Sequence, residues 1–136
     1  MAITPGKGAT LKVTISATPT TIGQIVSITA PQISNPTVDT TDLDDTWRTF
    51  QSTILDGGEL TFVVNWDTAD AQHAALWTKV TGGASEVWLI TYADTGTTTV
   101  GFSGPITSFQ PSPATVEGIV TVTLTIKVSG TITLTP

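Results

Sequence analysis

Residues 56–92 restrict the fold of this chain most strongly, because the sequence changes there from strand to helix periodicity and back. Side chains of a strand alternate between two faces, whereas side chains of a helix return to one face every 3.6 residues. After Gly57 and Gly58, residues 59–66 alternate as a strand with one buried face, and residues 87–92 form another strand. Because such a unit must bury its apolar faces together, we expect a shared core. The predicted core residues are Leu60, Phe62, Val64, Trp66, Leu76, Trp77 and Trp88.

The helix between these strands has signals at both ends. Asp67 or Thr68 can accept the free backbone N–H groups of a first turn, and Asp70 adds negative charge where the helix dipole favours it. Gly82 and Gly83 predict its end. Five apolar residues recur at helical spacing: Ala71, Ala74, Ala75, Leu76 and Val80.

Period-two alternation predicts strands through most of the remaining chain. The clearest is residues 119–128, where five apolar side chains alternate with three threonines and a lysine. Residues 86–104 predict a hairpin with its turn at residues 94–96, and Pro36 predicts an edge position or a bulge. The other predicted strands are residues 10–18, 22–29, 33–39 and 131–134.

These elements predict a mainly β fold, namely a β-sandwich or barrel of about seven or eight antiparallel strands with one flanking α-helix. The length of 136 residues suits one domain that covers residues 1–136. Residues 1–8 contain one proline and two glycines and are interpreted as a flexible arm. Residues 105–113 are interpreted as an irregular connection.

The charge balance argues against a protein that grips nucleic acid. Eleven acidic residues outnumber five basic ones, for a net charge of -6, whereas phosphate backbones are held by clustered lysine and arginine. Only 12% of the residues are charged, while 30 are threonine. Threonine favours strands and carries a hydroxyl, so the predicted sheet faces are polar and nearly uncharged. Such faces suit packing against other copies of the chain.

The sequence contains no recognisable arrangement for catalysis or for binding a cofactor or metal. His73 is the single histidine and has no second histidine four residues later, so we interpret it as a solvated helix residue. The serines lack the glycines of a nucleophile elbow, and no glycine-rich phosphate loop is present. Cysteine, a signal-peptide pattern and an apolar run of ~18 residues are also absent. We therefore expect no enzyme activity, no cofactor, no metal, no export and no membrane binding.

Residues 40–55 lose the strand alternation and combine acidic with aromatic side chains. The spaced aspartates lack the central glycine and closing glutamate of an EF-hand calcium loop. A solvated surface loop is one interpretation. Aromatic side chains on a long connection need to be covered, however, and a partner chain can cover them. The resulting candidates for contacts with other subunits are Asp42, Leu43, Asp44, Asp45, Trp47, Arg48 and Phe50.

The order of four segments resembles the tail tube (major tail) proteins of long-tailed bacteriophages. These segments are GQIVSITAP (residues 23–31), VDTTDLDDTWRTF (residues 38–50), DGGELTFVVNWD (residues 56–67) and VTVTLTIKVSG (residues 120–130). The resemblance implies a β-sandwich with a flanking helix that forms hexameric rings. It further implies that the rings stack into a hollow tube, joined by other tail proteins, which conducts the genome into the host.

By position, the family's long loop matches residues 40–55, and the resemblance implies that this loop is mobile in the monomer and ordered on assembly. It also implies a bare tube subunit located in the virion tail, without the extra immunoglobulin-like domain of some relatives. The acidic balance fits a channel wall that repels phosphate, so that DNA passes without stable binding.

Two other classes remain open at this stage. One is a different virion protein, such as a tail terminator or head-decoration protein, which would stop at a closed oligomer. The other is a β-sandwich module for adhesion or carbohydrate binding, which would use exposed aromatic residues.

Overall fold

Short β-strands make up most of the chain. The computed structural model describes residues 3, 5–15, 18–67, 69–94, 96–116 and 118–136. Within these residues there are eleven strands and one helix: β1 (Thr10–Ile15), β2 (Thr18–Thr21), β3 (Ile25–Thr29), β4 (Thr37–Asp39), β5 (Phe50–Ser52), β6 (Glu59–Asn65), α1 (Ala71–Gly82), β7 (Glu86–Thr91), β8 (Thr99–Gly104), β9 (Ile106–Pro111), β10 (Thr121–Lys127) and β11 (Thr133–Thr135).

Two antiparallel sheets enclose the core. A five-stranded sheet has the order β11-β8-β7-β1-β2, and a four-stranded sheet has the order β3-β6-β10-β9. Between the sheets, the ring centroids of Phe62 and Trp88 lie 6.1 Å apart. The mainly β fold with a single flanking helix is therefore confirmed for the described residues. The pairing of β6 with β10 points six buried side chains into the core: Leu60, Phe62, Val64, Val122, Leu124 and Ile126.

The two ends of α1 agree with the sequence signals only in part. The N-cap is Asp70, whose carboxylate accepts the backbone N–H of Gln72 at 2.9 Å. The choice of Asp67 was wrong, because its carboxylate instead accepts the N–H of Ala69 in the preceding turn, and Thr68 lies outside the described residues. The predicted end is confirmed: Gly83 is the C-cap at φ 67, a left-handed conformation that glycine adopts without strain.

His73 is fully buried, so its interpretation as a solvated residue was wrong. Its Nε2–H donates to the carbonyl oxygen of Gly23 at 2.8 Å, and its Nδ1 accepts the backbone N–H of Asp67 at 3.1 Å. The imidazole also stacks on Trp66, with centroids 5.3 Å apart. Because both nitrogens have partners, the ring is buried without an unsatisfied polar atom. His73 thus ties the helix to the turn before β3.

Trp77 is 52% exposed, so its assignment to the core was wrong. The helix buries His73 and Leu76 instead, and the indole of Trp77 packs edge-on against Phe109, with centroids 5.1 Å apart. Phe109 lies on β9, the outer strand of its sheet, so no further described strand covers the indole. Trp66 is partly buried against the core. Five of the seven predicted core residues are fully buried, namely Leu60, Phe62, Val64, Leu76 and Trp88.

Eleven described strands replace the predicted seven or eight because β2, β5 and β9 were not predicted as separate strands. The predicted strand at residues 10–18 divides into β1 and β2, which pair with each other; Ser16 and Ala17 lie outside the described residues. The irregular connection predicted at residues 105–113 was wrong, because β9 pairs there with β10. In the predicted 33–39 strand, only β4 and an isolated bridge from Ser34 to Asp56 form.

The hairpin at residues 86–104 is confirmed, with Glu86 opposite Gly104 at its open end. Thr95, in its predicted turn, lies outside the described residues, as do Met1, Ala2 and Thr4 of the predicted N-terminal arm.

Gly104 is expected to be intolerant of a side chain. A Cβ there would collide with the backbone carbonyl oxygen of Lys127, which belongs to the opposite sheet and cannot move independently. Gly104→Ala should therefore lower the free energy of unfolding by about 1–3 kcal/mol in a urea titration. Gly101→Ala, in the same strand, is the matched control because its Cβ would meet only Leu89 Cδ1 at an ordinary 3.7 Å. Equal stabilities for the two variants would contradict this account of the contact between the sheets.

Candidate assembly surface

Residues 33–56 form an arm that leaves the sandwich between β3 and β6. Its strands β4 and β5 pair with each other and with no other described strand. At its base, Ser34 and Asp56 exchange backbone hydrogen bonds of 2.8 and 2.9 Å, and the N–H of Thr53 donates to the carbonyl of Pro36 at 2.9 Å. Every residue of the arm is exposed. The segment is a hydrogen-bonded hairpin whose connection is residues 40–49. The predicted loss of strand alternation at residues 40–55 therefore agrees with residues 40–49, whereas Phe50–Ser52 form β5.

Large apolar side chains on the arm are open to solvent. Leu43 is fully exposed, Trp47 is 84% exposed and Phe50 is 57% exposed. Sequence reasoning missed further exposed apolar residues of the arm, namely Ile33, Val38, Ile54 and Leu55. The signal for two of them was present, because Ile54 and Leu55 directly precede the turn at Asp56 and Gly57. Clustered apolar exposure of this kind marks an interaction surface.

An apolar groove lies at the base of the arm, with a volume of about 720 Å³. Ile33, Pro36, Ile54 and Leu55 of the arm line it together with Ile132 of the sandwich. Part of the arm's apolar surface is therefore continuous with the sandwich surface.

Local polar contacts order the tip of the arm, residues 41–48. The carboxylate of Asp45 accepts the N–H of Asp42 at 2.9 Å, and the carboxylate of Asp42 accepts the N–H of Asp44 at 3.0 Å. Such bonds from aspartate to nearby backbone N–H groups stabilise turns. The tip therefore has a defined shape although all of its residues are exposed.

The strands below the tip are joined by a salt bridge. Arg48 Nη1 donates to Asp39 Oδ2 at 2.9 Å, and the hydroxyls of Thr40 and Thr49 lie 3.0 Å apart. Hydrogen bonds from Thr41, first from its side chain and then from its backbone N–H, lower the pKa of Asp39, and Arg48 lowers it further. At the base of the arm, the N–H of Gly58 and the ammonium of Lys127 lower the pKa of Asp56.

The structure brings all seven predicted contact candidates into the arm. Asp42, Leu43, Asp44, Asp45 and Trp47 lie in the tip, and their contacts with other subunits stay a prediction. Arg48 differs from the others because its guanidinium is bonded to Asp39. Phe50 lies opposite Asp39 on the paired strands, so it shares a face with that salt bridge.

Most cations in the described part of the chain are paired with acids. Besides Arg48, Lys79 contacts Glu86 at 3.0 Å and Lys127 contacts Asp56 at 3.6 Å. Among the described residues, Lys7 and Lys12 are the cations without a salt bridge. The paired cations are less available to phosphate groups.

The described residues form neither a metal cluster nor a membrane-spanning helix. They contain no group of three or more histidine, cysteine, aspartate or glutamate side chains able to hold a metal ion. In the same residues, no helix has the length and apolar character needed to cross a membrane.

The model of the lambda phage tail tube protein (TTP) family matches residues 3–135. The chain belongs to this family. It is thus a tail tube protein, a structural component of the virion tail, and the predicted resemblance is confirmed. A comparison with curated protein sequences gives no match.

Solved structures show the same fold for this tail tube protein. A chain from the tail of an empty gene transfer agent (GTA) particle, refined with C6 symmetry, has a TM-score of 0.79 and 18% identity, covering 98% of this chain and 100% of that chain. The SPP1 tail tube has a TM-score of 0.77 and 12% identity, covering 97% of this chain and 78% of that chain. A chain from the structure of an extracellular contractile injection system, the PVC sheath/tube terminator in the extended state, has a TM-score of 0.77 and 13% identity, covering 97% of this chain and 96% of that chain.

Acid is expected to loosen the arm through Asp39. Because the pKa of Asp39 in the folded protein lies below its ordinary value, its stabilising effect is complete at neutral pH and is lost as the pH falls through that lowered pKa. The N–H of Thr41, bonded to Asp39 Oδ1 at 2.9 Å, is the reporter. Its hydrogen-exchange protection factor should fall on acidification.

The matched control is Asp39→Asn, which should show low protection of the Thr41 amide at neutral pH and little further change in acid. In the unsubstituted protein, the protection of that amide should decrease once all carboxylates are protonated. Unchanged protection would contradict the role of Asp39.

Proposed function

We propose that this tail tube protein forms six-membered rings that stack into a hollow tube, with the arm as the main contact between subunits, and that the genome passes through the channel. The observation that carries the proposal is the arm itself, a hydrogen-bonded hairpin whose apolar side chains no other described part of the chain covers. Membership of the tail tube family supports it. The C6 symmetry of the similar GTA tail supports a ring of six.

The arm suits an assembly role energetically. A segment that is already folded loses less conformational entropy on binding than a disordered one. Its tip presents Leu43 and Trp47, and exposed aromatic anchors dominate the free energy of many interfaces. Burial of these side chains by a neighbouring subunit would remove apolar surface that is costly to leave in water.

The channel is proposed to let DNA slide without stable binding. Six of the side chains on the solvent face of the β6–β10 pair carry no charge, namely Thr61, Val63, Asn65, Thr121, Thr123 and Thr125. Each chain has a net charge of -6, and the charges of all subunits in a ring together repel phosphate groups. The tube is proposed to be catalytically inactive, to need no cofactor, to join other tail proteins and to bind no membrane.

A tail terminator is the closest alternative, because the PVC sheath/tube terminator shares this fold. A terminator stops at a closed oligomer, whereas a tube protein elongates. Electron microscopy of the concentrated purified protein distinguishes the two. Rings and long tubes are expected, and protein that stays monomeric or stops at single rings under all conditions would contradict the proposal.

Trp47→Ala is expected to weaken polymerisation without unfolding the protein. The side chain is 84% exposed, so its loss removes little folding energy, but an interface anchor contributes about 2 kcal/mol. The critical concentration for tubes, measured by sedimentation, should therefore rise by about 30-fold. Trp77→Ala is the control, an exposed tryptophan outside the arm. Loss of the folded circular dichroism signal in the Trp47 variant would instead place that residue in a structural role.

Assembled tubes are expected to show no tight binding of duplex DNA. Counterions are released from DNA only where protein cations replace them, and most cations of the described chain are already paired. Binding of fluorescent duplex DNA to tubes across a salt series measures this. Tight binding that weakens steeply with added salt would reveal a basic channel and contradict the proposed passage of DNA.

A further inference from the structure

We infer that the acidic tip of the arm binds a lysine-bearing apolar depression at the far end of a second copy of this chain. This depression, called the distal depression, is lined by Lys7, Ile25, Val26, Ile28 and Tyr92, with Gly6, Gly8, Ala9 and Ser27. The inference rests on the proposed stacking of rings and names the surface that receives the arm.

The arm and the distal depression lie at opposite ends of the four-stranded sheet. The arm joins β6 at the end where Glu59 pairs with Lys127. The other end of the same strand pair is Asn65 with Thr121, and Ile25 pairs with Val64 beside it. Strand β3 therefore carries the distal depression toward the end that the arm does not occupy.

The five-stranded sheet gives the same arrangement. Lys127 N–H donates to the carbonyl of Pro105 at 3.1 Å, which places the Glu86–Gly104 end of the hairpin at the arm end of the molecule. Tyr92 follows the opposite end of β7, where Thr91 pairs with Thr10. A Cβ on Gly8 would lie 2.8 Å from that of Ala93, so the segment with Lys7 packs beside Tyr92 at the far end.

The tip carries negative charge together with apolar surface. Asp42, Asp44 and Asp45 are close together in it, and Arg48 is bonded to Asp39 below them. Leu43 and Trp47 project beside these carboxylates. A surface complementary to the tip is therefore both apolar and cationic.

The distal depression has the complementary chemistry. Its volume of about 330 Å³ is at the lower limit of typical binding pockets, about 300–1,000 Å³, and leaves room for a side chain of the tip. Val26 is 59% exposed there, and the lining contains Lys7 and no carboxylate. Within the described residues Lys7 has no salt bridge of its own, so its ammonium is available to an aspartate of another copy.

A contact between two different surfaces of identical chains does not close on itself. Each copy keeps one free tip and one free depression, so addition continues along an axis unless rotation closes a ring. The arm is also long enough to reach a second copy, since the ten residues from Ser34 to Leu43 span roughly 30 Å when extended. Opposite placement of the two surfaces thus accounts for elongation, whereas a self-complementary patch would give a closed dimer.

A charge exchange between Lys7 and Asp44 tests the inference. Asp44 is chosen because the carboxylates of Asp42 and Asp45 bond within the tip, whereas in the described residues that of Asp44 does not. Lys7→Glu or Asp44→Lys alone should raise the critical concentration for tubes by about tenfold or more, because like charges then face each other. The double variant Lys7→Glu/Asp44→Lys should return to within about threefold of the unsubstituted protein.

Lys12→Glu is the matched control, because Lys12 lies on the outer face of the five-stranded sheet opposite Leu89 and Thr21. It makes the same charge change and should leave tube formation unaffected. If Lys12→Glu blocks stacking while Lys7→Glu does not, the arm binds the side of the sandwich and the inference is overturned. Absence of recovery in the double variant also overturns it.

Disulfide trapping gives a second measurement that does not depend on charge. The chain has no cysteine, so Lys7→Cys/Asp44→Cys introduces the only two thiols. Oxidised tubes should give a ladder of covalently linked chains on a denaturing gel without reductant, and Lys12→Cys/Asp44→Cys should not. Tubes that form normally but give no ladder overturn this inference alone, whereas failure of the unsubstituted protein to form any tube overturns the proposed function as well.

Discussion

The pairing of β6 with β10 is the interaction on which the rest of this structure depends. Seven consecutive residue pairs join the two strands, and their inward side chains are buried. Each buried leucine, valine, isoleucine or phenylalanine contributes about 1.5–3 kcal/mol relative to an exposed one. The same strand β6 also positions both proposed assembly surfaces. The arm precedes β6 and is separated from it by Gly57 and Gly58, and β3, which lines the distal depression, pairs along its side. A strand of seven residues separates the two ends by roughly 20 Å.

The arm is stabilised differently from the sandwich. A two-stranded hairpin is marginally stable by itself in water, and here no described strand of the sandwich pairs with it. The salt bridge from Arg48 to Asp39 and the hydroxyl contact between Thr40 and Thr49 therefore carry more of its stability than they would in a larger sheet. Polar contacts hold its shape, so its apolar side chains stay free for a partner.

The fold of this chain is shared by solved structures of very different sequence. A gene transfer agent tail, the SPP1 tail tube and a sheath/tube terminator all match this chain at TM-scores of 0.77–0.79, with 12–18% identity. Elongation requires two different, mutually complementary surfaces, and termination requires that one be absent or blocked. In the proposed assembly, side chains on the arm and at the far end of the molecule supply the two surfaces.

The sequence alone determined the strand–helix–strand unit and its core. Alternation placed Leu60, Phe62 and Val64 inward, and Gly83 marked the helix end, because these depend on residues near one another in the chain. The order of segments also identified the family, and the mixture of aspartates with Trp47 drew attention to the arm.

Only the tertiary structure decided how the elements meet. His73 is buried because the Gly23 carbonyl and the Asp67 N–H converge on it, and Trp77 is exposed because β9 ends its sheet. Strand β9 itself was missed, since a segment of mixed composition becomes a strand when β10 supplies its hydrogen-bond partners. The opposite placement of the tip and the distal depression also could not be predicted from the sequence. Residues distant in sequence acquire a spatial relation only when long-range pairing closes the sheets.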